Sequence, residues 1–300
     1  QIARREIPPD IFAAAVQALI APPALPPHLD PTDIEILPED HGVYVAYGEN
    51  NTPLFVGKSH QLKKRVLAHF ASERKSNKTD GLWAQTRRLE SMACSGELGT
   101  LLREAHLLHT LRPRLNRQVR PVDETCFWAL DASRPGQLQL IAAEELDGES
   151  GATLYGPFQT KREARLRLTE LIKLNGLCPA VLGLEKHVPQ QPCSARKLKQ
   201  CKGACSGGES VLMHTTRLVG VLTKFKLSPW PFAGPALLRE GDALHIIHHW
   251  RYLGSASDET EIHEHLQATP PAFDRETYRV LLKCASAMQA LPAKFSVPAT

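Results

Sequence analysis

The chain has 300 residues, 42% of them hydrophobic, with 23 prolines, seven cysteines and a formal net charge of +4; that is a globular composition, too long for one ordinary core. No run of eighteen apolar residues occurs, which argues against a helical membrane span. Residues 41–120 carry fourteen Lys and Arg against six Asp and Glu, and residues 155–210 ten against four, two basic blocks that fit a polyanion partner better than evenly solvated faces do.

No charged-then-apolar leader follows Gln1, so no signal peptide is read, and a first residue other than Met points to a trimmed boundary or a preceding domain. Pro9–Leu19 fits a short helix, and Pro22, Pro23, Pro26, Pro27 and Pro31 then mark residues 1–37 as a proline-rich lead-in or tether. His41–Tyr47, a polar turn over Gly48–Pro53 and Leu54–Gly57 form a predicted hairpin. A helix opens at Ser59 or His60 with Leu62, Val66 and Phe70 on one stripe. Arg74–Asp80 reads as a loop, Leu82–Leu89 as a helix and Met92–Ala93 as a short strand. Gly99–Leu111 is a helix stopped at Arg112-Pro113, because the residue before proline disfavours helical backbone.

Asp123–Leu130 and Gln137–Ala142 read as strands, and Lys161–Leu174 as an amphipathic helix ending at Asn175-Gly176. Four cysteines follow, at 178, 193, 201 and 205, then a helix, a Pro/Trp/Gly-rich segment over Ser228–Pro235, a strand pair over Asp242–Gly254, a helix over Glu259–Ala268 and a last element over Glu276–Leu282. The predicted division is 1–37, 38–120, 121–210 and 211–300.

Taken singly, Tyr44, Lys58, Arg65, His69, Glu104 and Asn116 all have ordinary readings as core, surface or turn residues. Arg65 and His69 share a helix face, and Glu104 falls within an apolar helical run, where a carboxylate is costly unless compensated. In order and spacing, Gly42-Val43-Tyr44, Phe55-Val56-Gly57-Lys58-Ser59, Arg65-Val66, Leu102-Arg103-Glu104-Ala105 and Arg112-Pro113-Arg114-Leu115-Asn116 resemble the GIY-YIG nuclease family, and within it the UvrC/Cho branch. The resemblance implies an α+β fold: a small central β-sheet flanked by helices, followed by a mixed α/β, cysteine-containing C-terminal region that is Cho-like over 211–300. It also implies one Mg2+ or Mn2+ ion with Glu104 as its only protein ligand, a hard cation that keeps most of its waters. Arg65 would then hold the scissile phosphate, Tyr44 would be the general base, and Asn116 would orient the loop near the metal. A phenol ordinarily titrates near pH ~10, so Lys58 and the metal are expected to favour the phenolate. Two departures stand out. Phe55 replaces the second tyrosine of the family, and His69 stands where UvrC-type proteins often carry a tyrosine; at that place it would contact phosphate or assist a proton relay.

Four soft thiols suit zinc or an iron–sulfur cluster. The basic segment around them resembles the cysteine-bearing region of UvrC, and this implies a [4Fe-4S] cluster on Cys178, Cys193, Cys201 and Cys205, with zinc as the alternative; Tyr155-Gly156-Pro157-Phe158 resembles the segment that links the two regions in UvrC. The runs Ser228–Phe232 and His245–Trp250 are also Cho-like; His248 and His249 read as partly exposed strand residues rather than metal ligands. The implied activity is the 3′-side incision at bulky lesions in nucleotide excision repair. The implied partners are damaged double-stranded DNA, UvrB on that DNA and, as in some relatives, an upstream exonuclease domain, in the bacterial cytoplasm at the nucleoid. A non-cutting DNA-binding module and a GIY-YIG endonuclease of another lineage are the rival readings.

Overall fold

A computed structural model describes residues 25–75, 81–116, 125–131, 133–146, 152–186, 191–292 and 295. The predicted helix Pro9–Leu19 and most of the loop Arg74–Asp80 lie outside them. The chain divides into two compact units, one holding the residues up to Thr100 together with Leu111–Asn116, the other Leu101–Thr110 and the residues from Thr125 onward.

The first unit opens with a single helical turn, α1 (Thr32–Glu35). Strand β1 (Gly42–Tyr47) is buried along its whole length. It pairs antiparallel with β2 (Pro53–Ser59) on one side and β3 (Arg88–Ala93) on the other. Asn50 and Asn51 turn the β1–β2 hairpin with φ of 55° each, a left-handed conformation that asparagine tolerates. Helix α2 (Leu62–Lys75) lays Leu62, Val66 and Phe70 against Tyr44, Leu54 and Leu89. The core also takes Leu29, Ile34 and Leu37, and the Asp33 carboxylate accepts the Leu89 N–H at 2.9 Å. The described end of the proline-rich lead-in is therefore packed onto the sheet rather than a free tether.

The expected helix Leu82–Leu89 is only one turn, α3 (Leu82–Gln85). The Thr86 hydroxyl donates back to the Leu82 carbonyl at 2.7 Å, the backbone turns extended, and Leu89 belongs to β3. Pairing with β1 outweighs the helical pattern there, because it satisfies a row of backbone groups that a short exposed helix cannot. Helix α4 (Glu97–Leu111) ends as predicted before Pro113.

In the second unit, β4 (Cys126–Leu130) lies between β5 (Leu138–Ala142) and β6 (Thr153–Phe158). Helix α5 (Lys161–Asn175) buries Ala164, Leu168, Leu171 and Ile172 with Trp128, Tyr155 and Phe158. Thr160 caps its start, and Gly176 ends it in the left-handed conformation at φ 58°, the C-terminal device predicted. The short α6 (Ser194–Lys197) and α7 (Val211–Leu222) follow. Strands β7 (Ala236–Glu240), β8 (Ala243–His248), β9 (Arg251–Ala256) and β10 (Gln289–Ala290) form a sheet in the order β10-β7-β8-β9, with α8 (Glu259–Gln267) and α9 (Arg275–Lys283) after β9. The predicted strand pair is the β8–β9 hairpin, whereas β6, β7 and β10 were not foreseen. The α+β architecture, small antiparallel sheets flanked by helices and then a cysteine-rich mixed region, is as expected.

Candidate active site

Cross-strand partners in a sheet share a face. Tyr44 stands opposite Gly57, and Ala46 opposite Phe55, so the Tyr44 and Phe55 rings meet on one side, with centroids 5.9 Å apart. A Cβ at position 57 would lie 2.5 Å from Tyr44 Cε1 and 2.8 Å from Phe55 Cε1. Only glycine leaves room for both rings, which is the physical reason for the residue between Val56 and Lys58.

Helix α2 faces these rings. The Tyr44 hydroxyl lies 2.5 Å from His69 Nδ1, and the imidazole packs edge-on to Phe55 with centroids 4.8 Å apart at 68°. Tyr44 is only 1% exposed. Burial pushes its phenol well above the usual value; the Arg65 charge pulls it down and that of Glu73 pushes it up. Burial also depresses His69, Glu73 opposing and Arg65 reinforcing that shift. Near neutral pH both groups are therefore uncharged: the phenol donates and Nδ1 accepts, which places the imidazole proton on Nε2.

Arg65, His69 and Glu73 recur at four-residue spacing, on one stripe of α2. Arg65 is exposed at its end of the stripe, where a phosphate can reach it, and Glu73 is half-buried. Sequence reasoning passed over Glu73, although its spacing from His69 was the available signal. Lys58 pairs with Val43, so it leaves β2 on the opposite face from Tyr44. The expectation that Lys58 favours the Tyr44 phenolate is not what the register provides; His69 occupies that place beside the hydroxyl.

Asn116 has a role that can be read directly. Its side-chain oxygen accepts the Val56 N–H at 2.8 Å, and its side-chain NH2 donates to the Val56 carbonyl at 2.8 Å. Just before it, Leu115 N donates to the Leu54 carbonyl at 2.8 Å. Asn116 thus extends a ladder along the outer edge of β2, holding the strand that carries Gly57 and Lys58. Glu104 lies midway along α4, half-buried and not without a partner. Its partial exposure makes it less costly than an interior carboxylate. Among the described residues it belongs to no group of three close metal-binding side chains, so any ion it held would keep a largely aqueous shell.

Three of the four predicted cysteines, Cys178, Cys193 and Cys205, form one close group, and Cys201 stands beside Cys193 but outside that group. Cys178 follows the Gly176 cap of α5, and Cys193 caps α6, its Sγ accepting the Arg196 N–H at 3.4 Å. The Cys178 and Cys193 sulfurs are 3.7 Å apart, those of Cys193 and Cys201 are 3.5 Å apart, and Cys205 Sγ accepts the Cys193 N–H at 3.4 Å. The ligand atoms of Cys178, Cys193 and Cys205 all lie within 4.8 Å of one another, close enough to hold one metal ion. Burial pushes the Cys178 and Cys193 thiols up to about 11. Burial opposes the Cys205 thiolate too, but hydrogen bonds from the Cys193 backbone and the neighbouring thiols hold it below its usual value. The buried His214 on α7, not foreseen from the sequence, accepts the Cys178 N–H on Nε2 at 2.9 Å. Such a partner orients a ligating residue through its backbone.

The His248 and His249 rings lie with centroids 4.2 Å apart, tilted at 45°, and neither joins a metal-binding group among the described residues. No helix of the described residues is long and apolar enough to cross a membrane.

Family models match three successive segments: a UvrC-like GIY-YIG domain at residues 40–117, the middle domain of UvrC/Cho excinucleases at 125–224, and the excinuclease Cho C-terminal domain at 235–294. The chain is 33% identical to the excinuclease Cho of Escherichia coli K12 over 252 residues, which covers 82% of this chain and 83% of that protein. It is 32% identical to the Salmonella typhi protein of the same name over 265 residues, 86% and 87% of the two chains. Similarity to the UvrABC system protein C of Gemmatimonas aurantiaca is 28% over 175 residues, 58% of this chain and 28% of that longer protein.

Proposed function

The chain belongs to the UvrC/Cho branch of the GIY-YIG nucleases, and from that premise we propose that it is a divalent-metal-dependent DNA endonuclease of nucleotide excision repair. Its substrate is damaged duplex DNA loaded with UvrB, and its cut is the incision on the 3′ side of a bulky lesion. The nuclease domain spans 38–120 behind the lead-in 1–37; the four-cysteine basic region (121–210) and the C-terminal region (211–300) grip the flanking backbone, contacts that give affinity without reading sequence.

The observation that carries this reading is the Tyr44–His69 hydrogen bond with Arg65 one turn away on the same helix face. His69, neutral and accepting, draws the phenolic proton as Tyr44 takes one from the attacking water. The hydroxide so formed attacks phosphorus in line with the departing oxygen. Arg65 bears on the non-bridging oxygens and offsets their developing charge. Phe55 contributes no proton; it holds the imidazole edge-on so that Nδ1 stays aimed at the phenol. Asn116 keeps β2 in register beneath them. Glu104 would hold a Mg2+ or Mn2+ ion, which supplies Lewis-acid stabilisation of phosphate oxygens.

The four thiols would hold a thiophilic metal centre. The resemblance to UvrC favours a [4Fe-4S] cluster; the close grouping of Cys178, Cys193 and Cys205 equally suits zinc, with Cys201 beside Cys193 as the fourth candidate ligand. The second reading, a DNA-binding module that does not cut, draws its support from Phe55. Incubating the protein and Mg2+ with lesion-bearing and undamaged duplexes, with and without UvrB, separates the readings. A nick confined to the damaged, UvrB-loaded duplex supports repair incision; cutting plain DNA at one sequence points to another GIY-YIG lineage; no cutting under any condition leaves the binding module.

A further inference from the structure

The second unit contains a cleft of about 490 Å³ whose lining includes Lys226, Trp230, Phe232, His249, Trp250 and Arg251, within the range of ~300–1,000 Å³ typical of small-ligand sites. Trp230 packs edge-to-face on Trp250 and on Phe232, with centroids 5.2 Å away in each case. The turn that supplies His249 and Trp250 joins β8 to β9 with only these two residues, at φ 48° and 61°. Two-residue hairpin turns of this hand are ordinarily Asn-Gly or Asp-Gly, and bulky residues at positive φ are uncommon and strained. The fold thus holds an indole and an imidazole at a place where small residues would be easier.

Both indole N–H groups are already used on backbone: Trp230 donates to the Gly234 carbonyl and Trp250 to the Ser228 carbonyl, each at 2.8 Å. Ser228 N in turn donates to the Tyr278 hydroxyl at 3.1 Å. What the cleft still offers a ligand is aromatic surface, with Lys226 and Arg251 as the cationic donors, Arg251 already giving one N–H to the Leu146 carbonyl at 2.9 Å. Its described lining holds no carboxylate, while Lys226 and Arg251 bring two positive charges. Aromatic faces with cations beside them suit a base joined to phosphates, because every base stacks whatever its sequence. A neutral or basic peptide would gain nothing from those charges.

We propose that this cleft receives one unpaired nucleobase of the bound DNA, stacked on Trp230, with the adjoining phosphates on Lys226 and Arg251. The assignment rests on the nuclease reading and deepens it: a base displaced from the helix at a lesion finds a fixed seat.

The test uses the full chain and two duplexes that differ by a single bulged 2-aminopurine, with binding read by anisotropy and stacking by 2-aminopurine fluorescence. The wild-type chain should prefer the bulged duplex by roughly 5- to 150-fold, the value of one stacked base, and quench its fluorescence. Trp230→Ala should lose both effects while its affinity for the paired duplex stays within about twofold; Trp230→Phe should keep most of the preference. Lys226→Glu, at an exposed position that cannot disturb the core, should weaken bulge binding and flatten its salt dependence. Retention of preference and quenching by folded Trp230→Ala overturns the proposal. So does a Trp230→Ala chain that loses UvrB-dependent recruitment but keeps the preference, since the cleft would then dock protein. Nicking is scored separately: a wild-type chain that never nicks yet shows Trp230-dependent quenching supports the cleft while failing the nuclease reading.

Discussion

Replacing His69 with alanine tests the proton relay most directly, and the structure sets the size of the effect. The substitution strands the buried Tyr44 hydroxyl, which costs ~1–3 kcal/mol, and removes the ring edge from Phe55, worth a further ~0.5–1.5 kcal/mol. His69→Ala should therefore destabilise the first unit by ~2–4 kcal/mol in denaturant melts. Tyr44→Phe leaves the ring in place and should cost only ~1 kcal/mol. The double variant strands no hydroxyl, so it should lose less than the sum of the singles, with a coupling of ~1–2 kcal/mol. In single-turnover nicking of a UvrB-loaded lesion duplex, each single variant should lose on the order of 10²–10⁴ in rate. Neither loss should add to the other, because the two groups act as one unit. The wild-type rate should rise as pH climbs through an apparent pKa below the ordinary histidine value, the direction in which burial moves His69, and His69→Ala should lack that limb. A folded His69→Ala enzyme within about threefold of wild type and with an unchanged pH profile would refute the relay.

Gly57→Ala forces a Cβ to 2.5 Å from the Tyr44 ring; it should cost ~1–3 kcal/mol by overpacking, and nicking should fall with it as the hydroxyl is displaced from His69. Asn116→Ala removes both hydrogen bonds to Val56, so a loss of ~1–3 kcal/mol in chemical denaturation is expected, with affinity for paired DNA unchanged. His69, His245 and His248 all titrate below their usual 6.5 in the folded chain because they are buried, His248 at about 4. The folded state thus binds fewer protons than the unfolded one; their contribution is full above pH 6.5 and is lost as pH falls through the folded values. Melting temperature should decline from pH ~6.5 toward ~4, and His248→Gln should flatten the acid end. Anaerobically purified protein should carry stoichiometric metal on its thiols, and Cys205→Ser should lose it and melt earlier; metal analysis with the visible absorbance of thiolate-bound iron tells zinc from a cluster.

Much of this was legible from short stretches of chain. The stripe of Leu62, Val66 and Phe70, the shared face of Arg65 and His69, the helix stop at Arg112-Pro113 and the Gly176 cap all follow from steric rules that act within about four residues. The order of short motifs from Gly42 to Asn116 carried the family, and the four cysteines were visible as a group by count and spacing. Other features depend on residues far apart in sequence. Arg88–Ala93 becomes a strand because β1 is there to pair with it, and residues around Leu29 and Leu37 pack because the β1 core accepts them. Strand register, which no local pattern sets, puts Lys58 on the face away from Tyr44. Likewise, only the folded chain brings His69 to the Tyr44 hydroxyl across 25 positions and Asn116 to Val56 across 60. Local sterics decide which elements a segment can form; pairing and burial, paid for by the whole unit, decide which one it takes and which side chains meet.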